Sequence, residues 1–129
     1  MNRRNYMKSV AAAAAASALP VSAAASPIQL HVDLDVDPSK ENDLVGTFHK
    51  IFHPTISKQP GFVEVKLLKL RQTMAGPAPV NASYRLLISF QTEEQRKTWV
   101  ATADHQKVWP KMEANLKGAK FGAVLYDVA

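Results

Sequence analysis

Four histidines, His31, His49, His53 and His105, are the only side chains of this chain that titrate near neutrality without help. His31 lies two residues before Asp33, with Asp35 beyond. On an extended segment these side chains point the same way, so an orienting hydrogen bond can form; a solvated or interfacial polar face gives the same pattern. His49 and His53 are four apart, which stacks two imidazoles on one helical face as metal ligands require. No third ligand accompanies them and Pro54 follows directly, so no metal site is expected. His105 stands beside Asp104, four residues before Trp109, at the junction of two helical pieces. There Trp99 and Trp109 can wall a pocket with His105 at its rim; the alternative makes both tryptophans core anchors and His105 a helix-start residue.

The sequence contains no nucleophile motif, phosphate-cradling glycine loop or HExxH pattern. Tyr84 and Arg85 offer a phenol and a charge, but as strand neighbours they face opposite ways. What remains is a small apolar, aromatic-walled cavity with one or two imidazoles at its rim, suited to a flat aromatic or polycyclic ligand. His105 is its candidate catalytic residue. Trp99, Trp109, His31, Phe48, Phe52 and Phe90 are its candidate binding residues.

The elements that must position these groups follow from periodicity. Ile28, Leu30, Val32, Leu34 and Val36 alternate with Gln29, His31, Asp33 and Asp35, a strand with one buried face. Pro38 ends it and Ser39 can cap a helix carrying Leu44, Phe48, Ile51, Phe52 and Ile56, with a kink or break expected near His53 because of Pro54. After the Gln59-Pro60-Gly61 turn signal, residues 62–71 read as a second strand. Val63, Val65 and Leu67 share one face there while Leu68 and Leu70 take the other, so both faces are covered or a bulge shifts the phase. Residues 73–82 form a loop. A third strand, Tyr84 to Gln91, places Tyr84, Leu86, Ile88 and Phe90 on one side. Thr92 and Gln95 have capping-box spacing for a helix with Trp99, Val100 and Ala103. Asp104 can cap a further piece holding Val108, Met112 and Leu116, Gly118 closes it, and Phe121 to Val128 makes a fourth strand.

The order β-α-β-β-α-β predicts an α+β, ferredoxin-like fold: a four-stranded antiparallel sheet with both helices on one face. The other face is then bare, and apolar residues such as Leu87, Val124 or Val63 are exposed in a monomer. A second copy covers them most simply, so a homodimer is expected.

Residues 1–25 read as a cleavable export signal: Arg3-Arg4 and Lys8, an uncharged alanine-rich run from Ser9, and a small-residue exit at Ala23-Ala24-Ala25. The arginine pair resembles the twin-arginine subclass; a general secretory signal is the nearest alternative. An anchor needs ~20 strongly apolar residues, whereas here alanine supplies most of the run and Pro20 interrupts it. The membrane is therefore met only transiently during export, and the mature protein is expected in the periplasm or secreted. Removing the leader leaves residues 26–129 as a single domain. It takes away Arg3, Arg4 and Lys8, leaving 13 basic against 11 acidic residues, so the formal charge drops from +5 to +2. The remaining lysines are scattered without interleaved aromatics, so a nucleic-acid partner is not expected. With no cysteine there is no disulfide, thiolate metal site, cysteine nucleophile or lipidated terminus.

Several local strings resemble the antibiotic biosynthesis monooxygenase family of dimeric α+β barrels, which includes quinol monooxygenases. They are the Pro38 helix entry, the mid-helix Pro54, Lys58-Gln59-Pro60-Gly61-Phe62 at the helix-to-strand turn, and Ala103-Asp104-His105, which is similar to the family's Thr-Pro-His at the end of helix two. The resemblance spans residues 28–128. It implies that a quinol-like or polycyclic aromatic substrate binds between sheet and helices. Oxygenation then proceeds without flavin, haem or metal, the substrate anion passing an electron to oxygen. It further implies a base for a phenolic hydroxyl, by position His105, with Trp109 and Trp99 shaping the cavity. The chain differs where many members carry a tryptophan, here Phe90, and an earlier histidine in helix two, here Val100. The expectation is an exported monooxygenase-like protein oxidising a small aromatic or quinol substrate without cofactor. Its rivals are a non-catalytic barrel binding a hydrophobic small molecule or haem, and a structural protein whose pocket is filled by its own side chains.

Overall fold

The computed structural model describes residues 27–129, so the export signal expected over 1–25 lies outside the described residues. Strand β1 (Ile28–Val36) realises the alternation read from the sequence, with Ile28, Val32, Leu34 and Val36 buried and the intervening residues half-buried. Strands β2 (Phe62–Lys69), β3 (Tyr84–Phe90) and β4 (Leu116–Asp127) complete an antiparallel sheet of order β2-β3-β1-β4. The core lies between one sheet face and the helices. There β1 and β3 residues pack with Leu44, Phe48, Phe52 and Ile56 of the first helix and with Trp99, Val108 and Met112 of the second helical layer. This is the expected α+β, ferredoxin-like arrangement. No helix among the described residues is long and apolar enough to cross a membrane.

The first helical segment, α1 (38–56), carries Pro54 without a break, through a change of helix type that ends at His53. It begins as a 3-10 turn at Pro38–Lys40, capped by Asp37, whose carboxylate accepts from the Ser39 N–H at 2.9 Å. It continues as α-helix (Glu41–Thr47), widens to a π-helical stretch (Phe48–Phe52) and returns to α (His53–Ile56). In the wide stretch the His53 N–H donates to the Phe48 carbonyl. The five-residue repeat re-phases the ladder just before the residue that cannot donate, and the Thr55 hydroxyl donates to the Ile51 carbonyl at 2.8 Å.

The pairing of β2 with β3 shifts between Phe62 and Glu64, a bulge that leaves Val63 52% exposed; past it the register is regular, with Val65 and Leu67 facing the helices and Leu68 and Leu70 exposed. The turn before it needs Gly61, whose φ is +80° and whose α-hydrogen abuts the Gln95 side chain. Gly61→Ala adds a left-handed alanine, about 1–2 kcal/mol, to a clash with Gln95. We expect its unfolding free energy, measured in urea, to fall by that amount or more, and Gln95→Ala in the same chain to recover the steric part alone.

Two boundaries differ from the sequence reading. Leu116, expected at the end of the last helix, instead opens β4 opposite Val36. Gly118, expected as the helix stop, lies inside β4 at φ +59°, where residues 117–120 oppose the single Asp35 and loosen the strand. The last helix ends earlier, at Glu113, because the Ala114 and Asn115 amides close onto the Pro110 and Met112 carbonyls.

Candidate functional site

The second helical layer is broken by one residue. Helix α2 (Glu93–Ala101) starts at Thr92, whose hydroxyl accepts from the Gln95 N–H at 3.1 Å, the cap anticipated from the sequence. Thr102 is extended (ψ 155°); its hydroxyl donates to the Trp99 carbonyl at 2.7 Å and accepts from the His105 N–H at 3.1 Å. One hydroxyl therefore ends α2 and opens α3 (Ala103–Glu113), taking the cap role expected of Asp104.

Beneath this break lies a cavity of 330 Å³, lined by Leu30, Val32 and Ile88 of the sheet floor, Phe121 and Ala123 of β4, Phe52 of α1, and Arg96, Trp99, Val100, His105 and Trp109 of α2 and α3. Leu30 is the inward β1 residue left half-buried, because the cavity rather than a helix sits over it. The walls are aromatic. The His105 ring meets Trp99 edge-on at 5.1 Å and lies nearly parallel to Trp109 (17°) at 6.4 Å. Trp109 in turn meets Phe121 at 5.2 Å and Phe52 at 6.4 Å.

His105 is partly buried, and its Nδ1 is enclosed without a hydrogen-bond partner among the described residues. Burial first, and the positive charge of Arg96 second, hold its pKa below the ordinary imidazole value. Both effects favour the neutral ring, the form a proton acceptor requires.

The structure brings His105, Trp99, Trp109 and Phe52 together and places the other three candidates elsewhere. His31 points to the opposite sheet face, because Leu30 and Val32 take the cavity side; its Nε2 meets Gln29 Oε1 at 2.9 Å and its ring packs on Tyr126 at 4.7 Å. Phe48 is core, stacked on Phe52 at 6.3 Å and flanked by His49 and His53, which lie exposed along an outer groove with Lys66. Phe90 is fully buried, edge-on to Phe62 at 6.1 Å and remote from the cavity wall. Among the described residues no three His, Asp or Glu side chains gather as a metal site. Tyr84 and Arg85 do separate as expected: the Tyr84 hydroxyl donates to Glu41 at 2.8 Å inside, and Arg85 pairs with Asp33 at 2.7 Å outside.

Arg96 is the cavity residue that the sequence reading passed over. Arg96, Trp99 and Val100 stand at i, i+3 and i+4 on one face of α2, which was a usable signal. The guanidinium Nε donates to Glu93 Oε1 at 2.6 Å and Nη2 to Oε2 at 2.7 Å.

A four-stranded antiparallel sheet with its helices on one face is a ferredoxin-like α+β fold, and solved structures of that fold match this chain. One is a mutant of SnoaB, a cofactor-independent oxygenase from Streptomyces nogalater: 16% identity over 79% of this chain and 92% of that one, TM-score 0.63. A candidate antibiotic biosynthesis monooxygenase from Caulobacter crescentus is 16% identical over 82% and 92%, with TM-score 0.64. A dimeric ferredoxin-like protein of unknown function from Jannaschia is 15% identical over 79% and 99%, with TM-score 0.66. No family model and no curated protein matches the sequence. The chain thus has the fold of the antibiotic biosynthesis monooxygenase structures, as its local strings led us to expect.

Proposed function

We propose that the chain is an exported, homodimeric, monooxygenase-like protein whose cavity binds a small aromatic or quinol substrate and oxidises it without a cofactor, His105 acting as base. The observation that carries this reading is an imidazole whose Nδ1 is enclosed without a partner among the described residues, set against two tryptophans at a 330 Å³ apolar cavity. That volume lies near the lower end of the ~300–1,000 Å³ of small-molecule pockets and suits a one- or two-ring ligand. His105 takes the hydroxyl proton, the ring anion lies in the cavity against Trp109, and the apolar walls exclude water while the anion meets oxygen. Oxygen uptake with a panel of quinols tests it: uptake above the uncatalysed rate is expected from the wild type, and none in any member overturns turnover. Binding without turnover is the second reading, supported by Val100 standing where many family members carry a further histidine.

The homodimer is supported by the outer sheet face, where Val124 and Tyr126 are each 51% exposed while His31 Nδ1 and Ser89 Oγ are enclosed without partners among the described residues. The dimeric Jannaschia neighbour points the same way. Val124→Arg places a charge in the middle of that face and is expected to give a monomer by sedimentation velocity, where the wild type sediments as a dimer. Export through the Arg3-Arg4 leader puts the mature protein in the periplasm or outside; fractionation with and without residues 1–25 tests that assignment.

A further inference from the structure

Among the described residues that line the cavity, Arg96 is the only one with a charged side chain. A guanidinium has five N–H donors, and Glu93 takes two of them through Nε and Nη2. The bidentate grip fixes the plane of the fork and leaves three donors, the Nη1 pair and the second Nη2 hydrogen, for another acceptor. The Arg96 side chain is only 19% exposed, against a largely apolar lining. The Nη1 group has no protein acceptor among the described residues and is not enclosed, so water meets it until an acceptor within the cavity takes that place.

We propose that Arg96 is the oxyanion-binding residue of this cavity, the group that holds the phenolic substrate implied by the family resemblance as its phenolate. This deepens, and rests on, the reading that the cavity binds an aromatic substrate. On binding, the ligand O–H bond breaks, the proton passes to the His105 imidazole, and the electron pair stays on the ligand oxygen, which accepts from Arg96. The two residues divide the work: one removes the proton and the other stabilises the charge it leaves behind. Burial first, and the positive field of Arg96 second, lower the His105 pKa before the ligand arrives.

The test uses 4-nitrophenol, whose phenolate band is visible, and its methyl ether 4-nitroanisole, which cannot ionise. Each is titrated into wild type, Arg96→Gln and Arg96→Lys across the neutral pH range, with tryptophan quenching reporting the ether. The wild type is expected to prefer phenolate to ether and to lower the pKa of the bound phenol by about one unit or more. Arg96→Gln is expected to lose about tenfold in phenolate affinity and to keep its affinity for the ether, while Arg96→Lys recovers part of the loss. Equal phenolate affinity in wild type and Arg96→Gln, with the ether still bound, overturns the Arg96 assignment and leaves the aromatic-binding reading standing. If the wild type binds neither probe, that reading falls and this inference with it. If Arg96→Gln loses the ether too, Arg96→Lys decides: a kept preference for phenolate supports the assignment, and a lost preference overturns it.

Discussion

Replacing His105 by alanine is expected to lower quinol turnover by about 10²–10⁴-fold, the usual worth of a positioned general base, while changing substrate affinity only a few-fold. Affinity survives because the walls that hold an aromatic ring are Trp99, Trp109, Phe52 and Phe121, whose mutual contacts do not depend on the imidazole. The rate falls because no other basic side chain with an accessible proton-accepting state lines the cavity among the described residues: Arg96 stays protonated, and its pKa is raised further by Glu93. The pH dependence gives a second signature. The active form is neutral imidazole, so the rate rises with pH as His105 loses its proton. Burial and Arg96 lower the His105 pKa, which moves that acid limb below the ordinary value of about 6.5. An oxygen-electrode profile of kcat/KM against pH, which reports the free enzyme, checks this. The wild type should show the limb on the acid side of the ordinary imidazole range, and His105→Ala should lack it. A wild-type limb at or above that range contradicts the role assigned to His105.

The second large effect falls on stability. Phe90→Ala is expected to cost about 3–5 kcal/mol, a large share of the ~5–15 kcal/mol that holds a typical domain together. Phe90 has no exposed surface and lies in register with Ile28 on one side and Phe62 on the other, so its removal leaves a void across three strands. Urea unfolding measures the loss, and Phe90→Leu supplies a milder variant that stays folded. In either variant the folded protein should bind aromatic ligands as the wild type does, because Phe90 contributes nothing to the cavity wall. A Phe90→Leu protein of unchanged stability with lost binding would return Phe90 to the site.

Strand β1 was legible because its alternation is uninterrupted, and α2 because Thr92 and Gln95 fix its start. The start of β4 was not. Leu116 continues the helical spacing of Val108 and Met112, and Gly118 has the left-handed geometry of a helix stop, so local signals favour helix until Val36 recruits Leu116 into the sheet. The outcome at Pro54 was hidden for a different reason: a widened turn upstream can re-phase a helix around a proline, and no residue type announces it. For the site, aromatic identity alone could not tell a wall from a core. Phe52 and Phe48 are one helical turn apart, yet only Phe52 reaches the cavity. His31 was misplaced by parity that the alternation already contained, since Leu30 and Val32 had to face inward. Arg96 was overlooked because a Glu-Arg pair at i,i+3 ordinarily marks a solvated helix face; its burial depends on the break at Thr102, which comes six residues later.

The central claim is that the space between Trp99, Trp109 and His105 is a binding site for a planar aromatic molecule. A structure of the full-length mature protein bound to a quinol measures this most directly. The ring should lie against Trp109 with a hydroxyl oxygen within hydrogen-bonding distance of His105 and the Arg96 guanidinium close by. A cavity left empty at saturating quinol, or a ligand seated on the outer sheet face beside His31 and Tyr126, would contradict it.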